Sequence, residues 1–308
     1  MKHLKPTKPT IDIDVEIDRI LYHASKPESY YQSIGSYDPT NEYTLITARG
    51  DDSHILAVAH LDSVLPFSTF TYDQITQTVT TETLDDRLGV YVCLDWLPKH
   101  GVIVDVLLTT NEESVCSTAG AFSPHKIYKW MVEFDRMGES VVCYQYECKE
   151  LSKRLRGVGY KRIETGSYSD ICELDSLGCL GFNIGVGYSN AHSPYASCDL
   201  ITLQTNLDRF ITFYSKYKDI EFPYDKSGKE FKQARWYDRK KWNGIDWGKY
   251  TSYYKKTAVK QTDLTPCDSC RVPFPDSELT FSSRLGYLCQ DCLDWCGKYW
   301  YDDLDSIR

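Results

Sequence analysis

Short apolar runs alternate with longer amphipathic segments over the first ~220 residues, and this alternation restricts the fold more than any other feature of the sequence. The runs are ILAVA (55–59), VIVDVLLTT (102–110), SVVCY (140–144) and CLGFNIGVG (179–187). Each is typical of a strand in a largely covered sheet. The segments RLGVYVCLDWLPKHG (87–101) and TLQTNLDRFITFYSKYKDI (202–220) have the apolar spacing of helices. The pattern therefore predicts an α/β body.

Composition narrows the class of protein. The 308 residues are 42% hydrophobic, which is enough for one large core, or for one large and one small domain. A net charge of −9 argues against a protein that coats nucleic acid and suits a soluble enzyme. The N-terminus has no signal-like apolar segment, and no apolar run approaches the ~20 residues of a membrane span. We expect a cytoplasmic protein with reduced thiols and no membrane partner.

The composition changes twice along the chain, which predicts three parts. Residues 1–222 form the α/β body, 223–261 a basic aromatic connector, and 262–308 a cysteine-rich module. The connector is interpreted either as a segment whose aromatic rings pack on the body, or as a surface that tracks phosphates and stacks bases. The residues that would form such a surface include Arg235, Trp236, Arg239, Lys240, Lys241, Trp242 and Trp247.

Histidines and carboxylates follow the apparent strands at several places. They occur in AHLDSV (59–64), TLDDRLGV (83–90), TTNEESV (109–115), VEFDRMG (132–138) and SNAHSPY (189–195). Adjacent glutamates such as Glu112 and Glu113 repel each other and lose hydration at a strand end, so they need a compensating charge. Strand ends of an α/β sheet gather at one edge, and two histidines with several carboxylates form a ligand set suited to zinc.

Taken singly, each motif has an ordinary structural explanation. A His-x-Asp after a strand is often structural, and a pair of aspartates that opens a helix often caps it. A glutamate pair also occurs at a solvated sheet edge or a helix start. The order of all five motifs along one chain favours a metal site over these separate explanations.

The order H-x-D, D-D-R-x-G, E-E, D, H resembles the co-catalytic two-zinc exopeptidases of the bacterial leucyl aminopeptidase and glutamyl aminopeptidase type, over roughly residues 50–200. The resemblance implies a three-layer fold, with a mixed central sheet and helices on both faces. It also implies two catalytic zinc ions (or other divalent metals). The implied metal ligands are His60, Asp85 (bridging), Glu113, Asp135 and His192.

Further roles follow from the same resemblance. Glu112 is implied as the general base, Asp62 as the catalytic-site residue that orients His60, and Asp86 as the residue behind the bridging Asp85. In that family the Asp–Asp peptide is often cis. The turn ETGSYSDI (164–171) resembles a turn near the family's active site, which makes Asp170 a candidate for a supporting or substrate-side residue.

One departure from the family concerns the last histidine. AHSPY is close to the family's HSP, but Ala196 occupies a position where a glutamate is usual. That glutamate would orient His192, so Ser197 and Asp199 are candidates to replace it.

The implied activity is zinc-dependent hydrolysis of a peptide or small amide by a metal-activated water. Asp135, rather than glutamate, at its ligand position favours an aminopeptidase. An N-acyl or small-amide hydrolase (deacylase) is the alternative. A non-catalytic binding protein that uses the C-terminal region is a second alternative, which the presence of Glu112 and every ligand argues against.

The C-terminal module contains two Cys-x-x-Cys pairs separated by 18 residues between the inner cysteines. This spacing predicts a structural zinc ion held in a zinc-ribbon or treble-clef-like module, against the alternative of buried free thiols. Such modules bind nucleic acid, bind protein or brace a fold, and the sequence leaves the three open. The predicted ligands are Cys267, Cys270, Cys289 and Cys292, with Cys296 as a spare.

Overall fold

A mixed sheet of eight strands forms the centre of residues 15–224. The order of its strands is β1-β2-β6-β3-β7-β10-β8-β9. The strands are β1 (Ser36–Asp38), β2 (Tyr43–Ile46), β3 (Ile55–His60), β6 (Asp105–Thr109), β7 (Trp130–Arg136), β8 (Val141–Val142), β9 (Ile163–Glu164) and β10 (Gly181–Gly185).

A second sheet of four strands has the order β11-β12-β5-β4. Its strands are β4 (Thr71–Asp73), β5 (Thr78–Thr80), β11 (Tyr188–Ser189) and β12 (Ser197–Asp199). β11 and β12 pair antiparallel, and the loop between them carries His192. Through this loop the smaller sheet contributes a histidine to the site described below.

The computed structural model describes residues 15–48 and 53–224, and beyond them only four short strands. Those strands form two antiparallel pairs, β13 (Leu264–Pro266) with β14 (Pro273–Pro275) and β15 (Leu279–Ser282) with β16 (Gly286–Cys289). The chain divides into two units, Met1–Lys229 and Glu230–Arg308. The basic connector from residue 225 onwards and the four-cysteine zinc site fall outside the described residues, apart from the backbone of Cys289, and stay predictions.

The middle of the large sheet is parallel and buried. β3 pairs in parallel with β6 on one side and with β7 on the other, and β10 continues the parallel order beyond β7. Every residue of β3 and of β6 is buried. Burial of alternate side chains on both sides of a strand requires cover on both faces of the sheet.

Helices provide that cover. They are α1 (Ile17–Ser25), α2 (Glu28–Gln32), α3 (Leu84–Tyr91), α4 (Leu97–Lys99), α5 (Lys149–Gly157) and α6 (Leu200–Tyr217), with a π-helical turn at Val92–Trp96 between α3 and α4. α3 contacts β3 and β7, and α1 packs on α3. α6 packs aromatic rings against β7, where Trp130 meets Phe210 and Phe213 edge to face with ring centroids 6.3 and 5.5 Å apart.

The predicted fold class is confirmed as a mixed α/β fold with a central mixed sheet. All four predicted strand runs contain strands, and both predicted helical segments contain helices, with boundaries that differ by a few residues. The run 140–144 shortens to the two residues of β8, because the chain turns into a 3-10 turn at Tyr144–Tyr146. Among the helices that the structure describes, none combines the length and apolar character of a membrane span.

Glu82 fixes the loop that leads from β3 to β4. Its carboxylate accepts hydrogen bonds from the backbone N–H groups of Ser68 and Thr69, at 3.2 and 3.1 Å, and from both of their hydroxyls. Burial acts to raise the pKa of Glu82, but these hydrogen bonds prevail and lower it from 4.5 to about 2. The charged form is therefore the one that stabilises the loop.

We predict that Glu82→Gln lowers the free energy of unfolding at pH 7 by about 1–2 kcal/mol, because an amide is a weaker acceptor than a carboxylate. A lowered folded-state pKa contributes stability above the unfolded pKa of 4.5 and loses it as the pH falls towards 2. The difference between wild type and variant in urea denaturation should therefore shrink over that range. Glu150→Gln, which removes an exposed ion pair with Arg154, is the control, with a change of about 0.3 kcal/mol.

Candidate metal centre at the sheet edge

The carboxyl ends of three parallel strands bring the predicted residues together. His60 is the last residue of β3, Asp135 is the penultimate residue of β7, and Glu112 and Glu113 follow the end of β6 at Thr109. Asp85 is the second residue of α3, and His192 lies in the loop between β11 and β12. Parallel strands end at one edge of a sheet, so residues far apart in sequence meet there.

The side chains form two groups that share one carboxylate. In the first group, ligand atoms of His60, Asp85 and Asp135 all lie within 4.8 Å of one another. In the second, the same is true of Asp85, Glu113 and His192. The structure therefore brings all five predicted metal ligands together, with Asp85 common to both groups.

The two groups differ in the distances between their ligand atoms. His192 Nε2 lies 2.9 Å from Asp85 Oδ2 and 3.0 Å from Glu113 Oε2, within hydrogen-bond distance of both. His60 Nε2 lies farther from its partners, at 4.0 Å from Asp85 Oδ1 and 3.8 Å from Asp135 Oδ1. Glu112 Oε2 is also 3.8 Å from His60 Nε2, which places Glu112 beside the first group although it belongs to neither.

Asp62 connects the loop after β3 to the loop that carries the two glutamates. Its Oδ1 and Oδ2 accept hydrogen bonds from the backbone N–H groups of Glu112 and Glu113, at 3.3 and 3.1 Å. His60 Nδ1 lies 3.1 Å from the backbone carbonyl oxygen of Asp62 and 3.4 Å from its carboxylate Oδ1. Burial acts to raise the pKa of Asp62, but the interactions with His60 and with Glu113 N–H lower it. Asp62 thus orients one predicted ligand and holds the backbone of another.

Asp170 is buried beneath the loop that follows β6 and carries Glu112 and Glu113, called the glutamate loop below. Its Oδ2 accepts a hydrogen bond of 2.8 Å from Thr109 Oγ1, and its Oδ1 accepts one from Ser117 Oγ. These contacts tie the end of β6 to the far side of the loop. With a side chain that is fully buried, Asp170 is placed to support the loop rather than to touch a substrate.

Burial and mutual repulsion act on the carboxyl groups of the site. Burial raises the pKa of Glu112 well above its ordinary value; Asp135 and Asp170 add to this effect and His60 opposes it. Burial, followed by repulsion from Asp85, raises the pKa of Asp135 to about 7. A positive charge placed among these groups would act in the opposite direction and favour their ionised forms.

Asp85 and His192 stabilise each other's charged forms. Burial alone would lower the pKa of His192, but the carboxylates of Asp85 and Glu113 raise it to about 10. Burial would raise the pKa of Asp85, but the hydrogen bond from His192 and the proximity of His60 lower it. A proton on His192 therefore contributes positive charge between two carboxylates.

Two buried oxygen atoms test whether divalent cations fit this arrangement. Glu113 Oε1 and Asp135 Oδ1 have no hydrogen-bond partner within the part of the chain that the structure describes. One of these oxygens belongs to each group of potential ligands. Buried carboxylate oxygens are normally satisfied by donors or cations, and a set of two histidines and three carboxylates suits zinc. The residues present therefore fit a pair of divalent cations.

Several residues that contact the site were not identified from sequence. Tyr188 Oη lies 3.1 Å from Asp85 Oδ1, and Asn183 Oδ1 accepts a 3.0 Å hydrogen bond from the backbone N–H of Asp135. Glu133 is fully buried beside Ser169, whose hydroxyl donates to it. Burial, with repulsion from Asp170 and Asp135, raises the pKa of Glu133 well above its ordinary value. The only sequence signal was the position of Glu133 in VEFDRMG, one strand repeat before Asp135.

Over residues 53–224, neither candidate to replace the family glutamate forms a side-chain hydrogen bond with His192, and Ala196 itself is fully buried. Asp199, a candidate to orient His192, instead caps α6 by accepting the backbone N–H groups of Ile201 and Thr202. Ser197 faces Ser189 across the hairpin. The side chain of Asp86 lies outside the described part of the chain, and no cis peptide bond occurs among the described residues.

Comparisons with known proteins give similarity in structure but not in sequence. No family model matches the chain, and no curated protein matches it. The aminopeptidase PepT from Bacillus cereus is 10% identical, with a TM-score of 0.49 over 65% of this chain and 98% of that one. A tripeptidase from Staphylococcus aureus is 9% identical, with a TM-score of 0.48 over 65% and 98%. A TET aminopeptidase from a marine sediment archaeon, Thaumarchaeota, is 12% identical, with a TM-score of 0.49 over 67% and 96%.

We predict that Asp62→Ala lowers the free energy of unfolding by about 2–3 kcal/mol in the presence of a chelator, because two N–H groups lose a charged acceptor. Asp62→Asn, which keeps one acceptor oxygen, should lose less. Urea denaturation measures both. The matched control is Asp73→Ala, since Asp73 also accepts two backbone N–H groups, from Ile75 and Thr76, but in an exposed hairpin. An equal loss at both positions would contradict a special role of Asp62.

Proposed function

We propose that this protein is a metal-dependent hydrolase of peptide or amide bonds, most similar in its chemistry to an aminopeptidase. One divalent cation would be held by His60 and Asp135, a second by Glu113 and His192, and Asp85 would serve both. Zinc is the metal that this donor set favours. The observation that carries the proposal is the pair of ligand groups that share Asp85, with Glu112 beside them and in neither.

The electrostatics support the same assignment. The glutamate loop and β7 bring Glu112, Glu113 and Asp135 together, where burial and repulsion raise the pKa of Glu112 and of Asp135. Burying several carboxyl groups together lowers the stability of the fold unless a bound ligand compensates for their repulsion. Two bound cations would provide that compensation, and when bound they supply acidification of a water molecule and polarisation of a carbonyl group.

The protein's own residues provide proton transfer and alignment. Glu112 accepts a proton from the water whose oxygen attacks the carbonyl carbon, and returns it to the leaving amine nitrogen as the C–N bond breaks. Its side chain is 15% exposed, so solvent reaches it. Asp62 keeps Glu112 in place through the backbone and keeps His60 aligned through its ring nitrogen.

The charge of the site favours a substrate with a free amino group. The carboxylates near the site outnumber the four positive charges of two divalent cations, even with Glu133 protonated. The surplus attracts the ammonium group of a peptide N-terminus and repels the carboxylate of an N-acyl amino acid. The carboxyl groups concerned are Asp62, Asp85, Glu112, Glu113, Asp135 and Asp170.

Two alternative functions can be distinguished from the proposed one by experiment. A deacylase would use the same ligands and the same base on an N-acylated substrate. A binding protein would use the C-terminal region to recruit a nucleic acid or a protein, without turnover. About three zinc ions per chain after mild chelation would support two cations at the sheet edge plus a four-cysteine site. One zinc ion per chain without hydrolysis would favour the binding protein.

We predict that Glu112→Gln reduces kcat by about 10²–10⁴-fold, because the variant keeps the shape of the side chain but accepts no proton. Bound metal, measured by elemental analysis, should stay at the wild-type level. Glu113→Gln is the matched comparison, since it should lose metal as well as activity. A normal rate in Glu112→Gln would contradict the assignment of the base.

We predict that the wild-type protein hydrolyses aminoacyl amides and tripeptides with a free N-terminus, and that N-acetylation of the same substrates lowers kcat/KM by at least about 100-fold. The reason is the loss of the ammonium charge in a site with surplus carboxylates. Release of amine or amino acid measures both rates. Faster hydrolysis of the N-acetylated series would assign the protein to the deacylases instead.

A further inference from the structure

Tyr188 contacts the shared carboxylate from the smaller sheet. Its hydroxyl oxygen lies 3.1 Å from Asp85 Oδ1 and 2.9 Å from the backbone carbonyl oxygen of Asp135. The side chain is buried, with 4% of the residue exposed. The hydroxyl therefore bridges the carboxylate that belongs to both ligand groups and the backbone of a ligand from only one of them.

The opposite oxygen of Asp85 is held by the same hairpin. His192 Nε2 lies 2.9 Å from Asp85 Oδ2, and both Tyr188 and His192 belong to the segment that forms β11 and the loop after it. Each carboxylate oxygen thus has its own partner. A cation bound by His192 would take the place of the proton between these two side chains, whereas the Tyr188 hydroxyl can still donate to Oδ1 and restrain rotation about the Cβ–Cγ bond of Asp85.

Two side chains also hold the backbone of Asp135, one at its N–H group and one at its carbonyl oxygen. Its N–H donates to Asn183 Oδ1 at 3.0 Å, and its carbonyl is within reach of the Tyr188 hydroxyl. The pairing of β10 with β7 shifts register between Asn183 and Gly185, next to this point. Because the regular ladder is interrupted there, the position of Asp135 depends on Asn183 and Tyr188.

From these contacts we infer that Tyr188 is a positioning residue that sets Asp85 relative to Asp135, so that a single carboxylate serves both cation positions. The inference rests on the proposed metal-dependent function. Tyr188 does not act on substrate, because its hydroxyl is buried and lies against two acceptors of the protein. Its effect passes through the orientation of Asp85.

The test measures metal affinity rather than activity. The full-length protein is stripped with a chelator and titrated calorimetrically with Mn²⁺, a probe that carboxylate sites accept and thiolate sites disfavour, so that the predicted four-cysteine site contributes little. Tyr188→Phe should weaken Mn²⁺ binding by about 10–100-fold, as the loss of a partner that orients a ligand does. Tyr188→Met, which also lacks the hydroxyl, should show the same loss, and is used if the first variant does not fold.

The control is Tyr160→Phe, which removes a buried hydroxyl that donates to the backbone oxygen of Asn206 at 2.8 Å, away from the site. It should lower thermal stability without changing Mn²⁺ affinity. Equal Mn²⁺ affinity in Tyr188→Phe and wild type would overturn the role of Tyr188 while leaving the metal site intact. Absence of Mn²⁺ and Zn²⁺ binding by the wild-type sheet-edge site would overturn the proposed function itself.

Discussion

Repulsion among buried carboxyl groups is the constraint on which the rest of this site depends. The parallel order of β6, β3 and β7 makes the glutamate loop and Asp135 converge on one edge of the sheet. At that edge, burial and neighbouring acids raise the pKa of Glu112 and of Asp135. The arrangement is unfavourable by itself, so the surrounding chain has to supply hydrogen-bond donors, positive charge or both.

The donors come from elements that are remote in sequence. Asp62 accepts backbone N–H groups of the glutamate loop, Asp170 fixes the same loop from below, and Tyr188 reaches Asp85 from the second sheet. Positive charge within the described chain comes from His192, which sits between two carboxylates. The polar network thus links three strand ends, the start of α3 and one hairpin.

The residues that meet at the sheet edge were predictable from sequence because the order of five motifs along the chain, taken together, favours a metal site. Adjacent acids such as Glu112 and Glu113 have ordinary explanations when taken singly, but where they are buried together they need a compensating charge. Tyr188 and Asn183 were not predictable. A tyrosine and an asparagine carry no metal-site signal, and their contacts depend on the pairing irregularity of β10 and on the course of the β11–β12 hairpin. Such registers are fixed by tertiary packing rather than by local pattern.

The two ligand groups also differ in their access to solvent: one is buried and the other is partly exposed. The side chain of His60 is fully buried at the end of β3, whereas that of His192 is 43% exposed. His192 adopts a positive φ of 59° in its loop, and its Nε2 lies 2.9 Å from Asp85 Oδ2. Glu112 lies beside the buried group, and its own side chain is 15% exposed. The β11–β12 hairpin therefore contributes both the exposed histidine of the site and, through Tyr188, a contact with the shared carboxylate of Asp85.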